Sequence, residues 1–161
     1  MSRREIVALC LLLILFVSGM LVTTSYSVDG FPADEKVPSS YKIVGVPLIT
    51  QQKLWCGPAS LTMVLNYWGD KVTQDVIGNA MDPQHTGTAY TGKTLVEYAK
   101  GRGFDVDTYS GLSTIDELKK WISIDYPVIV VQYIGVPGPY EWWSHFRVVI
   151  GYDDGTSTIY V

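Results

Sequence analysis

With 161 residues the chain is long enough for one ordinary domain around a single sizeable core. Twelve Lys+Arg against sixteen Asp+Glu leave a net charge of −4, scattered rather than clustered, so a nucleic-acid partner is not expected. Charged residues at 17%, aromatics at 12% and the lack of any low-complexity tract exclude a disordered chain.

Residues 1–27 read as a signal peptide or signal anchor. Arg3 and Arg4 make a basic start, Ile6 to Val22 is apolar apart from Ser18 and Gly19, and Thr23–Ser27 supplies small residues for cleavage. The apolar run sits at the short limit for crossing a bilayer, so both forms stay open. Either one engages the membrane at least transiently and places the remaining chain outside, secreted or membrane-anchored. Cys10 lies in the apolar run, which leaves Cys56 as the one cysteine of the exported part and rules out an internal disulfide there.

Residues 28–40, rich in Pro, Gly and charge, form a flexible tether, and 41–161 form the domain. Tyr41–Leu48 alternates as a short strand. Leu61, Val64, Leu65 and Trp68 fall at helical spacing after Trp55, with Gly69 at the C′ position. Thr73–Met81 is a second short helix and Asp82–Tyr90 a loop. Thr91 caps a helix running to about Arg102 and closed by Gly103. Phe104–Tyr109 alternates as a strand, and Ser113–Asp116 resembles a capping motif opening a helix over Ile115–Ile122. Pro127–Tyr133 and His145–Tyr152 are apolar strands. Asp153–Gly155 is a turn, and Ser157–Val161 begins a returning strand. Helices first and an antiparallel sheet later make an α+β order. The last strand is cut short at Val161, as a shortened reading frame would leave it.

Cys56 is followed by Gly57 and Pro58, and Pro belongs in a helix's first turn, where its missing N–H costs nothing. Cys56 therefore stands at or just before a helix N-terminus, whose unpaired N–H groups and dipole favour an anionic sulfur. A cysteine half-buried at a helix cap for packing alone remains the plain alternative. His145 opens a strand downstream. An imidazole there is more often structural than not, but cysteine catalysis needs a base to take the thiol proton and return it to the leaving group. Gln51 and Gln52 precede Cys56, and either amide can join the Cys56 backbone N–H as an oxyanion donor.

These residues carry a resemblance. The string VPLITQQKLWCGPASLTMVLNYWG over 46–69, with HFRVVIGYDD over 145–154, resembles the bacteriocin-processing, or double-glycine, peptidase family of papain-like cysteine peptidases. The resemblance covers nearly all of 41–161. It implies a papain-like α+β fold with N-terminal helices packed on an antiparallel sheet, Cys56 as nucleophile and His145 as general base. Gln51 is the better match for the oxyanion glutamine, one residue nearer the cysteine than papain-like enzymes commonly place it, and Gln52 stays open. The family's third member, an Asp or Asn that orients the histidine, lies on the strand after the final hairpin. Hairpin geometry puts the residue opposite His145 about two or three positions beyond Val161. Asp153 and Asp154 sit at the far end of that hairpin, about 25 Å away, and are turn residues.

The expected activity is hydrolysis of a peptide bond in a peptide or protein substrate through a Cys56 thioester. A non-catalytic peptide-binding domain and a Cys–His acyltransferase are the alternatives. Bacteriocin-processing relatives are carried on transporters. This chain has no nucleotide-binding domain, so double-glycine specificity is not carried over.

No cofactor or metal is expected: Cys56, His85 and His145 lack any paired ligand spacing. Gly87–Thr94 fits the phosphate-loop pattern, but a polar, proline-broken stretch precedes it where a buried strand is required, so ATP is not expected and Thr91–Lys93 is a helix entry. Ser144 and His145 are adjacent on a strand and point to opposite faces, which excludes a serine dyad. Tyr140, Trp142 and Trp143 either wall a peptide cleft or cap the sheet.

Overall fold

The computed structural model of the chain describes residues 36–87, 91–108, 114–134 and 143–161. The targeting segment, most of the tether, the middle of the phosphate-loop match, and Tyr140 and Trp142 lie outside these residues. So do Tyr109 and Ser113. Among the described residues no helix is long and apolar enough to cross a membrane.

The order is β1 (Ser40–Lys42), α1 (Cys56–Tyr67), α2 (Gln74–Met81), α3 (Gly92–Gly101), α4 (Ile115–Ser123), β2 (Val128–Ile134), β3 (Trp143–Val149), β4 (Gly151–Asp153) and β5 (Thr158–Tyr160). The α+β order with antiparallel strands holds. Three of the four helices among the described residues start at a threonine cap. Thr73 caps α2 through its hydroxyl. Thr91 closes a capping box with Thr94, and Thr114 closes one with Glu117. Gly69 ends α1 at φ +89°, a conformation that glycine adopts without a Cβ clash.

Of two expected strands, one is cut short and the other is irregular over its described residues. Only Tyr41 and Lys42 of the Tyr41–Leu48 stretch are in a strand, β1: Gly45 turns the chain at φ +90°, Pro47 follows, and Val44 and Leu48 stand 86% and 92% exposed. Alternation without a neighbouring strand to pair with does not make a strand. Residues 104–108 are likewise irregular, although Phe104 and Val106 pack on the core.

The single strand expected over His145–Tyr152 is divided. β3 pairs with β2, with Gln132 opposite His145 and Val130 opposite Arg147. β4 lies between β1 and β5 in a second, three-stranded sheet. The break is at Ile150, which donates to Tyr160 O at 2.9 Å although Gly151 is the residue in register with Tyr160. Two residues facing one is a bulge, and the bend it makes lets one stretch of chain serve two sheets.

The core has two parts. Trp55, Leu61, Leu65, Val72, Ile77, Leu95, Ala99 and Phe146 join α1, α2 and α3 to one face of the β2–β3 ribbon. Ile43, Ile122, Val149 and Tyr152 form the other part, with Val128, Val130 and Leu118 packed against it. Tyr152 is buried and its hydroxyl donates to Pro38 O at 2.8 Å, which ties the end of the tether to the domain.

In the first part Gly78 of α2 lies close under the Trp55 ring. A Cβ on Gly78 would lie 2.5 Å from a ring carbon. Ala in a helix gains about 1 kcal/mol over Gly by propensity, but overpacking against a fixed ring costs about 1–3 kcal/mol. Gly78→Ala is therefore expected to lower the free energy of unfolding measured by urea denaturation. A more stable variant would contradict this packing.

Candidate active site

Cys56 is the first residue of α1 and half-buried, with Trp55 as the N-cap. Its position as a helix-opening residue is as the Gly57–Pro58 pair implies. The approach to it is a tight turn: Trp55 donates its backbone N–H to Gln52 O at 3.0 Å, and Leu54 takes φ +62°. A left-handed non-glycine residue costs free energy and persists only where its surroundings hold it.

The surroundings do hold it. Trp55 is 1% exposed, and its indole N–H donates to Asp82 O at 3.1 Å. The His85 ring lies stacked on the indole, centroids 3.7 Å apart and planes 12° from parallel. Asp82, also 1% exposed, accepts from Thr86 N at 3.0 Å, from the Thr86 hydroxyl at 2.8 Å and from Gly87 N at 2.8 Å. Burial pushes the Asp82 carboxyl up. The Gly87 and Thr86 donors and the nearby His85 outweigh burial and hold it below its ordinary value. The loop 82–87 is thus built on one carboxylate and laid against the residue before Cys56.

On the other side, α2 grips the same turn. Gln74 and Asp75, in its first turn, bond to Thr50 and Gln52. Gln52 donates its side-chain amide to Asp75 at 2.8 Å, whereas Gln51 is exposed. Of the two glutamines left open by the sequence, Gln52 is already engaged.

His145 lies near the start of β3 and is half-buried. Burial, and secondly the charge of Arg147 two residues on, hold its imidazole below the ordinary value, so the neutral ring dominates at neutral pH. Cys56 packs with the cluster that includes Phe146. By strand alternation His145 shares the opposite face with Arg147 and Val149. The structure therefore brings α1 and β3 together but joins Cys56 and His145 by no hydrogen bond among the described residues.

Asp153 ends β4 and accepts from Thr156 N, and Asp154, the first residue of the turn, pairs with Lys119, so both carboxylates are engaged at the β4–β5 turn. With the bulge counted, a strand following the β4–β5 register would oppose His145 about four or five positions past Val161, rather than two or three.

Sequence reasoning missed Gln74 and Asp82 and weighed His85 only as a metal ligand. The signal for Asp82 was an Asp opening a loop with Thr and Gly four and five residues on, the pattern of a carboxylate that gathers backbone N–H groups. Gln74 left no such trace, because its partners are distant in sequence. No group of three metal-binding side chains occurs among the described residues.

A family model described as the Peptidase_C39 like family matches residues 43–161. No curated protein and no solved structure matches the chain.

Asp82 yields a test of the frame around the cysteine. A carboxyl held below its unfolded value contributes stability above that value, and the contribution is lost as pH falls through the folded one. Asp82→Asn is expected to cost about 1–3 kcal/mol at pH 7 in urea unfolding, the penalty of disrupting buried hydrogen bonds. The difference from wild type should shrink below about pH 4. A cost unchanged across that range would show that the charge of Asp82 does not hold the loop.

Proposed function

The chain belongs to the Peptidase_C39 like family and carries a cysteine peptidase-like domain, and from that premise we propose that it hydrolyses peptide bonds through a thioester on Cys56. In this reading the fold is papain-like. Cys56 Sγ attacks the scissile carbonyl carbon, the new C–S bond forms, and the thiol proton passes to neutral His145. His145 then returns that proton to the leaving amine as the C–N bond breaks. Water, deprotonated in turn by His145, releases the acid and restores the thiol. Gln51, beside the N-terminal end of α1, stabilises the oxyanion. The apolar start of the chain supports an exported or anchored enzyme acting on peptides outside the cell.

The observation that carries the reading is the family match across Cys56 and His145, joined to the location of Cys56 as the first residue of a helix. Neutral His145 suits a ring that accepts a proton during attack rather than one already charged. Catalytic hydrogen bonds in a free enzyme are often long and close only around substrate. A non-catalytic peptide-binding domain is favoured by one specific observation: strand alternation places His145 on the face opposite Phe146, whose cluster Cys56 joins.

Hydrolysis of a fluorogenic peptide library separates the two. Cys56→Ala is expected to abolish turnover, and His145→Ala to lower kcat/KM by about 10²–10⁴-fold. Binding of peptides with no turnover in wild type would favour the non-catalytic domain.

The pH profile gives a second test. Since His145 is held below its ordinary value, kcat/KM should keep its plateau below pH 6.5 before the ring protonates. Replacing Arg147 by Met removes a positive charge that disfavours the imidazolium, so the acid limb should move to higher pH. An acid limb unmoved in Arg147→Met would exclude His145 as the group that sets it.

A further inference from the structure

The turn that leads to Cys56 is held by a single side chain at two points. Gln74 Nε2 donates to Thr50 O at 2.8 Å, and Gln74 Oε1 accepts from Gln52 N at 3.0 Å. Those two backbone groups flank Gln51. One planar amide thereby fixes the peptide planes on both sides of Gln51, much as a neighbouring strand pairs with a residue from its edge. Asp75, the next residue of α2, takes the Gln52 amide at 2.8 Å and keeps it directed to α2.

From this arrangement we propose that Gln74 is the positioning residue for Gln51 in the oxyanion site, an inference that rests on the reading of Gln51 given above. The physical need is clear. A donor stabilises an oxyanion only when it is held about 2.7–3.1 Å from where the oxygen will develop. Gln51 is exposed, and its side chain has several rotatable bonds. Its backbone must therefore be fixed by something else, and Gln74 fixes it at both ends. The Gln74 bonds lie at the exposed to part-buried surface, so their loss removes little from the core. Gln74 touches neither the substrate nor the reacting atoms in this account and acts through Gln51.

The test compares two reactions of Cys56 in the full-length chain, both mapped to Cys56 by peptide mass. Acylation by p-nitrophenyl acetate passes through a tetrahedral oxyanion: the sulfur–carbonyl bond forms, the ester C–O bond breaks and p-nitrophenolate leaves. Alkylation by iodoacetamide displaces iodide and makes no oxyanion. Gln74→Leu is expected to slow acylation by about tenfold or more, within the range set by removal of an oxyanion donor. Alkylation should stay within about twofold. In a Gln51→Ala background the same substitution should have no further effect on acylation, the signature of two residues acting as one unit. Gln74→Glu retains the acceptor for Gln52 N and loses the donor to Thr50 O, so it should fall between wild type and Gln74→Leu.

Equal loss of both reactions, or a loss undiminished in the Gln51→Ala background, would overturn the role of Gln74 and leave Cys56 chemistry standing. Wild-type Cys56 acylated no faster than a cysteine in an unstructured peptide would overturn the enzymatic reading itself, and the role of Gln74 with it.

Discussion

Everything near Cys56 depends on the burial of Trp55. The indole is wholly enclosed, bonded to Asp82 O, stacked by His85 and packed against a glycine that leaves no room for a methyl group. Removing a buried Trp side chain costs about 3–5 kcal/mol in typical cores. The residue that anchors the first cluster also fixes where α1 begins. Stability and the placement of the cysteine are the same interaction. The left-handed turn at Leu54 is held in place from both sides, by the Asp82 loop and by the Gln74–Asp75 end of α2.

The second constraint is the bulge at Ile150. A β2–β3 ribbon and a β1–β4–β5 sheet share one stretch of chain, and each of the two core clusters draws on it. Phe146 enters the cluster of α1, whereas Val149 and Tyr152 enter the cluster of α4. His145 and Arg147 stand on the Val149 face, where burial first and the charge of Arg147 second hold the ring below its ordinary value. The histidine's tendency to stay neutral follows from this face of the ribbon, not from the cysteine.

The helices were legible from the chain because their signals are local. Thr91 caps as read, the cap of α4 falls on Thr114 within the expected Ser113–Asp116 motif, Gly69 closes α1, and the apolar spacing of Leu61 and Leu65 faces the core. Strand limits were less legible, since a strand needs a partner that local alternation does not supply. Val44 and Leu48 alternate yet face solvent, and Phe104 and Val106 reach the core without pairing. The division at Ile150 was invisible for the same reason. At the site, Cys56 at a helix start could be read from Gly57–Pro58. The grip of Gln74 on residues 50 and 52, and of Asp82 on Thr86 and Gly87, spans elements and could be seen only once they were assembled.

The central claim is that His145 serves Cys56 as a base. The most direct measurement is the rate of iodoacetamide alkylation at Cys56 across pH, in wild type and in His145→Ala, followed by peptide mass. A pair that works together predicts slower alkylation in the variant near neutral pH, with the two curves converging once the thiol ionises unaided above about pH 8.5. Superimposable curves at every pH would contradict the claim, and the domain would then be one that binds peptides without cutting them.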